Sequence, residues 1–489
     1  MASTIIDKLW NEHLVADQDD GSSIIYIDRV FLHERTGSVA LKSLEAAGRK
    51  VRNPEQAFCT MDHIVDTFPG RTDKTTMPSG TDFITATREA SLAAGINLFD
   101  LGDQRQGIAH VISPEQGIAL PGCTLVCPDS HTGTLGGIGA LAWGIGSTEA
   151  EHALATKTLV IKKPKTMRVT FKGDLHPGIT AKDMILKLIG EHTASGGIGY
   201  AIEFAGDAVK NLEIEARLTL CNMTVEFGAW SGLVAPDEKT IEYVQGRPFA
   251  PEGDVWNKAV EYWRTLKTDD DASFDKEIVI DCADIVPQVT WGTSPMHETG
   301  IDQNVPDPAD EPDEAKRTAI EKALEYQDLQ PGTPLDGIPV EAAFIGSCTN
   351  SRLSDLRAAA AILKGRKVAD GVKAICVPGS GLVKQAAEAE GIDKVFTDAG
   401  FEWRESGCSM CFYAGGESFG LEQRVISSTN RNFENRQGPR TRTHLASPTM
   451  VAAAAIKGHI TDVRNINNAG NNAGNNSGNN SGKNSGNGD

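Results

Sequence analysis

Short apolar runs and amphipathic segments alternate along most of the chain. Apolar runs typical of strands, bounded by polar residues or by glycine and proline, lie at 23–27, 167–171, 277–280, 342–345 and 372–377. Apolar residues recur at helical spacing at 180–190, 321–329, 354–363 and 383–390. Strands that alternate with helices in this way predict an α/β fold of layered, largely parallel sheets.

Two breaks in this pattern predict three domains. The first break is at 162–165, after which the pattern restarts with a strand. The second is the acidic, proline-rich stretch 304–315, which is too polar for a core element. We predict that this stretch is a linker or a surface loop. A length of 489 residues suits three domains at about 150 residues each. We therefore predict α/β domains at 1–165, 166–302 and 303–464.

The last 25 residues, 465–489, differ in composition from the rest. They contain eleven Asn and six Gly, in a repeat of four residues, and almost nothing apolar. Such a segment cannot offset the entropy lost on ordering. We predict a disordered Asn/Gly-rich tail without a role in activity.

Composition and charge exclude several classes of protein. The chain has 66 acidic against 47 basic residues, a formal charge of −19, and no apolar run near the ~18 residues of a membrane helix. Its first fifteen residues lack the basic-then-apolar order of a secretory signal. An acidic surface without a basic stripe also disfavours nucleic acid as a partner. We expect a soluble cytoplasmic protein that binds neither membranes nor nucleic acid.

The nine cysteines do not predict a disulfide framework, because the count is odd and no export signal is present. Cys282 and Cys376 lie in apolar strand patterns and are expected to be buried and structural. Cys408 and Cys411 form a C-x-x-C in a glycine-flanked loop. That pair alone fits a redox dithiol, half of a zinc site or part of an iron–sulfur site. Cys348, at a strand-to-helix turn, is a third thiolate that would complete three ligands of a [4Fe–4S] cluster.

Larger motifs carry a family resemblance. The segments 346–352 (GSCTNSR), 407–411 (GCSMC) and 428–433 (STNRNF) together resemble the aconitase superfamily. Residues 1–464 resemble its branch of isopropylmalate dehydratase large subunits, with supporting segments at 26–29, 60–63, 107–110, 114–117, 129–132, 221–223, 287–292 and 442–444. The resemblance implies three α/β/α domains around an iron–sulfur cluster, with the family's swivel domain absent.

The resemblance also implies the reaction, which is a reversible dehydration and rehydration that moves a hydroxyl between adjacent carbons of a hydroxy acid. Hydroxide is a poor leaving group, so a Lewis-acidic iron and positioned proton donors are needed. The implied substrate pair is 2-isopropylmalate and 3-isopropylmalate, in leucine biosynthesis. The same chemistry on citraconate and 2-methylmalate, on homoaconitate or on another alkyl-malate stays open.

The site residues carry over by position. The implied ligands of a [4Fe–4S] cluster are Cys348, Cys408 and Cys411. The implied catalytic pairs of histidine and carboxylate are Asp62 with His63, Asp129 with His110, and Glu226 with His131. A histidine taken alone is more often structural, and here the motif context favours catalysis. The implied substrate-binding residues are Ser130, Asn222, Asn350, Asn430, Arg431 and Arg436, whereas Arg352 and Arg442 are expected to be structural ion-pair residues.

Three positions depart from the family pattern. Ser38-Val39 replaces Pro-Gln, and we expect Val39 to make the site more apolar. Gly415-Gly416-Glu417 replaces Asn-Asn-Asp beside the cysteines, and Asn435 replaces a glycine whose positive φ asparagine tolerates. These changes bear on the substrate rather than on the reaction type.

A separate partner is also implied. Family members need a swivel domain that supplies a serine base and an arginine, and we expect a small subunit to carry it. Two other function classes are less favoured. An RNA-binding role conflicts with the acidic charge, and a cluster-free scaffold conflicts with the presence of all three cysteines.

Overall fold

The computed structural model describes residues 2–411 and 413–466. The predicted tail lies outside the described residues from 467 onward. The strands are β1 Leu14–Asp17, β2 Ser23–Tyr26, β3 Arg29–His33, β4 Ala57–Thr60, β5 Asn97–Phe99, β6 Thr124–Cys127, β7 Leu141–Gly144, β8 Thr158–Ile161, β9 Lys165–Lys172, β10 Tyr200–Ala205, β11 Ser231–Val234, β12 Lys276–Asp281, β13 Gln288–Thr290, β14 Glu298–Gly300, β15 Ala342–Ile345, β16 Lys373–Cys376, β17 Phe401–Trp403, β18 Arg424–Ser427 and β19 Arg442–Leu445.

Helices connect most of these strands. The α-helices are α1 Ile5–His13, α2 Gly37–Ala46, α3 Gly80–Ala94, α4 Ala109–Glu115, α5 Ser147–Thr156, α6 Ala181–His192, α7 Asp207–Asn211, α8 Ile214–Asn222, α9 Glu238–Val244, α10 Gly253–Trp263, α11 Glu314–Gln327, α12 Leu353–Leu363, α13 Gly381–Ala389, α14 Ile392–Ala399 and α15 Pro448–Lys457. Short 3₁₀ helices span Pro54–Gln56, Ser130–Ile138, Cys282–Asp284, Pro308–Asp310, Ser409–Cys411 and Tyr413–Gly415.

The predicted strands and helices are all present, with ends shifted by a few residues. The largest shift is in α11, which begins at Glu314, seven residues before the predicted segment. The Asp313 side chain accepts the Lys316 N–H at 2.9 Å and caps this helix. The acidic stretch 304–315 therefore ends as the first turn of a helix.

Two five-stranded parallel sheets share one topology. Their strand orders are β5-β4-β3-β6-β7 and β17-β16-β15-β18-β19, so each begins at its central strand and winds outward in both directions. In such sheets the chain leaves the two middle strands in opposite directions and opens a crevice at their carboxyl ends. Each sheet thus provides a natural place for a binding site.

A third parallel sheet, in the order β11-β10-β9-β12, occupies residues 165–281. Two small antiparallel sheets, β1-β2-β8 and β13-β14, complete the set among the described residues. The larger sheets explain the division of the apolar core into three main clusters. Helices α9 and α10, which follow β11, pack Val244 and Trp263 onto the core of the first sheet.

The alanine-rich helix α15 is a core element of the last sheet. Its residues 451–455 are fully buried, and it packs against α12 and β15. In the part of the chain that the structure describes, no helix has the length and apolar character needed to cross a bilayer. Ile466 lies within the predicted tail but is only 4% exposed and joins the same core.

We predict that Ile466→Ala destabilises the fold by about 2–4 kcal/mol, because it leaves a cavity in this core. Thermal or urea unfolding would measure the loss, with Asn465→Ala, at an exposed neighbouring position, as the control. We expect a chain that ends at 466 to unfold like the full chain. Equal stability of Ile466→Ala and wild type would contradict the assignment of Ile466 to the core.

Candidate functional site

The carboxyl ends of the first and last sheets face one cavity of about 300 Å³. Asp62 and His63 follow β4 and Asp129 follows β6, whereas Cys348 follows β15 and Cys408 comes after β17. The cavity is lined by His33, Arg35, Thr36, Asp62, His63, Ile108, His110, Pro128, Asp129, Ser130, His131, Cys348, Cys408, Cys411, Arg431 and Arg436. Eleven of the predicted site residues are therefore brought together.

Histidines and carboxylates line the side formed by the first sheet. His63 Nδ1 lies 2.6 Å from Asp62 Oδ1, and its Nε2 lies 3.0 Å from Asp129 Oδ2. His110 Nε2 lies 3.0 Å from the other oxygen of Asp129. His131 Nε2 lies 3.0 Å from Glu226 Oε1. All three predicted contacts are present, and Asp129 in addition bridges two histidines.

This arrangement places a positive charge on His63. Burial lowers its pKa, but the carboxylates of Asp62 and Asp129 outweigh burial, so the pKa lies well above the ordinary value of 6.5. Because each ring nitrogen faces a carboxylate oxygen, both nitrogens carry a proton. Burial likewise raises the pKa of Asp129, but His110, His131 and His63 together hold it well below 3.8.

His33 and Glu34, at the end of β3, support this pair. The His33 ring stacks on His63 with centroids 4.2 Å apart, and burial together with the charge of His63 lowers the pKa of His33 to about 4. The fully buried Glu34 carboxylate accepts the backbone N–H groups of Asp62 at 3.0 Å, His63 at 2.7 Å and Ile64 at 2.5 Å. Sequence reasoning missed both residues, although a polar pair at the end of a central strand was a usable signal.

Glu226 connects the third histidine to an arginine. Its Oε1 also accepts Arg431 Nε–H at 2.9 Å, so one carboxylate oxygen binds both His131 and Arg431. Burial raises the pKa of Glu226, but these two partners bring it below its ordinary value. Arg431 is thereby held at the cavity wall, 28% exposed.

The segment that carries Ser130 and His131 also contains glycines that are packed too closely to accommodate a larger residue. A Cβ atom at Gly136 would lie 1.7 Å from the Gly232 carbonyl oxygen, and one at Gly137 would lie 2.7 Å from the Leu218 nitrogen. The glycine-rich run therefore lets the 3₁₀ helix Ser130–Ile138 lie directly on β11 and α8. This contact fixes the direction of His131.

Three buried thiols line the side formed by the last sheet. Amide nitrogens of Asn222 and Asn430 lie 3.2 Å and 3.5 Å from Cys348 Sγ, and Ser347 Oγ lies 3.1 Å from Cys411 Sγ. Arg436 Nη2 lies 3.8 Å from the same sulfur. These N–H and O–H groups are donors that suit thiolate acceptors.

The chemistry of this donor set fits an iron–sulfur cluster. Burial, aided by Cys411, raises the pKa of Cys348 to about 12, and burial raises that of Cys408 well above 9. Three neighbouring buried thiols ionise together only when a cationic centre binds them as thiolates. Cys282 and Cys376, in contrast, are packed in the apolar cores, as predicted.

A buried lysine holds the loop that follows β18. Lys182 Nζ donates to the carbonyl oxygens of Ser428, at 3.0 Å, and Thr429, and burial lowers its pKa to about 8. This loop carries Asn430 and Arg431. Lys182, on α6, thus sets the position of two site residues on the loop after β18, and no sequence motif pointed to it.

Other predicted positions lie outside the cavity. The amide nitrogen of Asn350 is bound by Asp355, at 2.9 Å, and Thr219, because the chain turns into α12 immediately after it. Val39 does not line the cavity, since it is 56% exposed on the first turn of α2. The expectation that Val39 makes the site more apolar is therefore wrong.

The structure also describes three other positions that the sequence singled out, Asn435, Arg352 and Arg442. Asn435 adopts a φ of 64°, which confirms that asparagine supports the turn where the family has glycine. Arg352 is buried and donates to the carbonyl oxygens of Thr349 and His110, at 3.1 Å and 3.2 Å. Arg442 forms an ion pair with Asp328 at 3.2 Å. The Arg442 contact is an ion pair, as predicted, whereas the Arg352 side chain donates to backbone carbonyl oxygens instead.

Backbone hydrogen bonds join the two sides of the cavity, and two of them lie in the loops around Cys408. Cys408 N–H donates to Asp62 O, and Glu405 N–H donates to Thr67 O, each at 2.8 Å. We call the paired segments 62–67 and 404–409 the interdomain loop pair. A cysteine of the thiol cluster is thus connected directly to a residue of the histidine–carboxylate network.

Comparisons with known proteins show what this chain is similar to. The family model for the aconitase family (aconitate hydratase) matches residues 7–458. A protein of Bradyrhizobium diazoefficiens, the 3-isopropylmalate dehydratase large subunit 1, is 55% identical over 463 residues, which are 95% of this chain and 97% of the relative. The crystal structure of aconitase X from Thermococcus kodakaraensis aligns with 88% of this chain and 90% of its own at a TM-score of 0.43 and 11% identity.

We predict that the charge on His63 is visible in the pH dependence of stability. Its pKa is higher in the folded than in the unfolded chain, so its protonation stabilises the fold fully below about pH 6.5. That contribution is lost as the pH rises through the raised pKa. The difference in unfolding free energy between wild type and His63→Gln should therefore shrink as the pH rises above about 6.5.

Urea denaturation of the cluster-free chain at a series of pH values would measure this difference. His152→Gln, at an exposed position on α5, is the matched control. A difference that stays constant or grows with pH would contradict the assignment of a positive charge to His63.

Proposed function

This chain belongs to the aconitase family, and we propose that it is the cluster-binding subunit of a hydro-lyase that interconverts 2-isopropylmalate and 3-isopropylmalate. The observation that carries the proposal is one cavity lined by three cysteines, three histidines held by carboxylates, and three arginines. The name of the 55% identical relative supports the choice of substrate and a place in leucine biosynthesis.

Cys348, Cys408 and Cys411 would hold the [4Fe–4S] cluster. When bound, the cluster supplies a Lewis-acidic iron that polarises the hydroxyl to be removed. Asn222 and Asn430 contribute by donating N–H groups to Cys348 Sγ, which stabilises its thiolate. Neither asparagine needs to touch the substrate to have this effect.

The histidines transfer or hold the protons of the reaction. His131 Nε2 is hydrogen-bonded to Glu226, and His131 Nδ1 lies 3.3 Å from Ser130 Oγ at the cavity surface. In our proposal this Nδ1 donates a proton to the departing hydroxyl. His110 and His63 hold Asp129 between them, so that its carboxylate stays ionised and fixed in orientation.

The arginines bind the substrate carboxylates. Arg431 and Arg436 both line the cavity and carry planar guanidinium groups that can bind a carboxylate through two N–H donors. Their charges also offset the overall charge of −19, which otherwise repels an anionic substrate. Ser130 is the neutral donor beside them.

The base that removes the carbon-bound proton would come from a partner. By family resemblance a swivel domain supplies a serine base and an arginine, and the relative is named a large subunit. We propose that this chain works with a separate small subunit that carries that domain. The mouth of the cavity, where Arg35 is exposed, is open to such a partner.

Arg35 also favours a second candidate substrate. It lines the cavity together with Arg431 and Arg436, which makes three guanidinium groups where a dicarboxylate needs two. A third carboxylate would pair with Arg35, as in homoaconitate. The same reaction on a tricarboxylate is therefore the alternative to be tested.

Steady-state rates decide between these substrates. We expect the chain, reconstituted with iron and sulfide and assembled with its small subunit, to act on 3-isopropylmalate faster than on homoaconitate, citraconate or cis-aconitate. Cys348→Ser should abolish turnover, whereas Cys376→Ser, in the core of the last sheet, should not. A clear preference for another substrate would refute the isopropylmalate assignment, and turnover without the small subunit would refute the partner.

We further predict that Arg431→Lys raises KM about tenfold or more, because lysine cannot make two parallel N–H···O bonds and charge-assisted hydrogen bonds contribute about 1.5–3 kcal/mol. Arg440→Lys is the control, since Arg440 is exposed and paired with Glu422 outside the cavity. Kinetics of both variants in the assembled enzyme would test this. An unchanged KM for Arg431→Lys would remove it from the substrate-binding set.

A further inference from the structure

The loop that follows the last two cysteines lies directly on the first domain. A Cβ atom at Gly415 would be 2.7 Å from the His63 carbonyl oxygen, and one at Gly416, where φ is 102°, would be 2.6 Å from the Met77 nitrogen. Only glycine allows the two backbones to approach this closely. The two glycines that replace Asn-Asn of the family pattern at 415–416 thus allow this loop to contact the segment 63–77.

This contact places the next residue, Glu417, inside the protein. The residue is 5% exposed, and both carboxylate oxygens accept hydrogen bonds. Oε2 accepts from Ser409 Oγ at 2.5 Å and from Arg404 Nη1 at 3.1 Å. Thr67 donates its hydroxyl to both oxygens, at 2.9 Å and 2.8 Å, and its backbone N–H to Oε1.

Ser409 is the reason why these bonds matter. It lies in the turn between Cys408 and Cys411 and adopts a φ of 47°, a left-handed conformation that is unfavourable for residues other than glycine. The bond from its hydroxyl to Glu417 holds it in that conformation. Thr67 Oγ1, 3.0 Å from Ser409 Oγ, connects the same turn to the segment that follows His63.

The charge of Glu417 is matched by a buried cation. Arg404 is only 2% exposed and pairs with Glu417 on one side and Glu402 on the other. Its guanidinium carbon lies 4.2 Å from the centre of the Phe68 ring. Loss of the Glu417 charge would leave Arg404 with one carboxylate and Ser409 without its acceptor.

We propose that Glu417 is a positioning residue that fixes the Cys408–Cys411 turn in the conformation that retains the iron–sulfur cluster. The inference rests on the proposed function and adds to it a residue outside the ligand set. A turn freed from Glu417 samples other backbone conformations, so its two thiolates bind the metal for a smaller fraction of the time. The cluster is then released faster.

The experiment measures iron release from the reconstituted chain, which requires neither substrate nor small subunit. Glu417→Gln keeps the size of the side chain but removes its charge and places an N–H₂ group against donors. Glu422→Gln is the matched control, because Glu422 lies on the same segment in an exposed ion pair with Arg440. We expect Glu417→Gln to release iron to a chelator about tenfold faster than wild type, and Glu422→Gln to match wild type.

Two further measurements separate positioning from general destabilisation. Ser409→Ala removes only the hydroxyl and should accelerate release in the same direction. The electron paramagnetic resonance spectrum of the reduced cluster should change in Glu417→Gln and not in Glu422→Gln. Release at the wild-type rate in both Glu417→Gln and Ser409→Ala would overturn the inference while leaving the proposed function intact. A wild-type chain that takes up no cluster would overturn both.

Discussion

A backbone hydrogen bond from Cys408 N–H to Asp62 O joins the two halves of the site. Neither half is complete alone, because the three histidines, Asp62 and Asp129 lie on the segments that form the first sheet, and the thiols lie on the segments that form the last. A backbone bond is well suited to this task, since it does not depend on side-chain rotamers. The bond from Glu405 N–H to Thr67 O extends it into a short interdomain pairing, and the Glu417 carboxylate adds side-chain contacts to the same pair.

Charge balance determines what can be buried around this pairing. Asp62, Asp129 and Glu226 are carboxylates in a largely enclosed site, and each is compensated by a histidine or an arginine within about 3 Å. Glu34 is different, because its carboxylate accepts three backbone N–H groups, and burial together with Asp62 raises its pKa to about 7. The described site therefore compensates its buried carboxylates in two ways, by cationic side chains and by backbone amides.

The sequence predicted the helices and strands well because periodicity and breakers are local signals, as for β15 and α12. It also pointed to the cysteines and to the histidine–carboxylate pairs, which lie in motifs of several residues. The sequence did not predict the roles of Glu34 and Lys182, and it indicated Glu417 only as a departure from the family pattern. The partners of these residues are distant in sequence, as with Glu417 and Thr67, which are 350 residues apart. The resemblance to the family pattern predicted that Asn350 and Val39 lie at the site, and the structure places both outside the cavity. The start of α12 turns Asn350 toward Asp355, and the first turn of α2 points Val39 outward.

The placement of the site between the first and last sheets also has a kinetic consequence. Contacts between residues 350 positions apart form late, because a long loop must close before they are gained. During synthesis the first domain is complete while the cysteines at 408 and 411 have not yet been made. A metal held by all three cysteines can therefore be acquired only after Cys411 has been made, and until then Asp62 and His63 lack their partner segment. Conditions that slow the closure of the interdomain loop pair should extend the period in which the nascent protein depends on protection by chaperones.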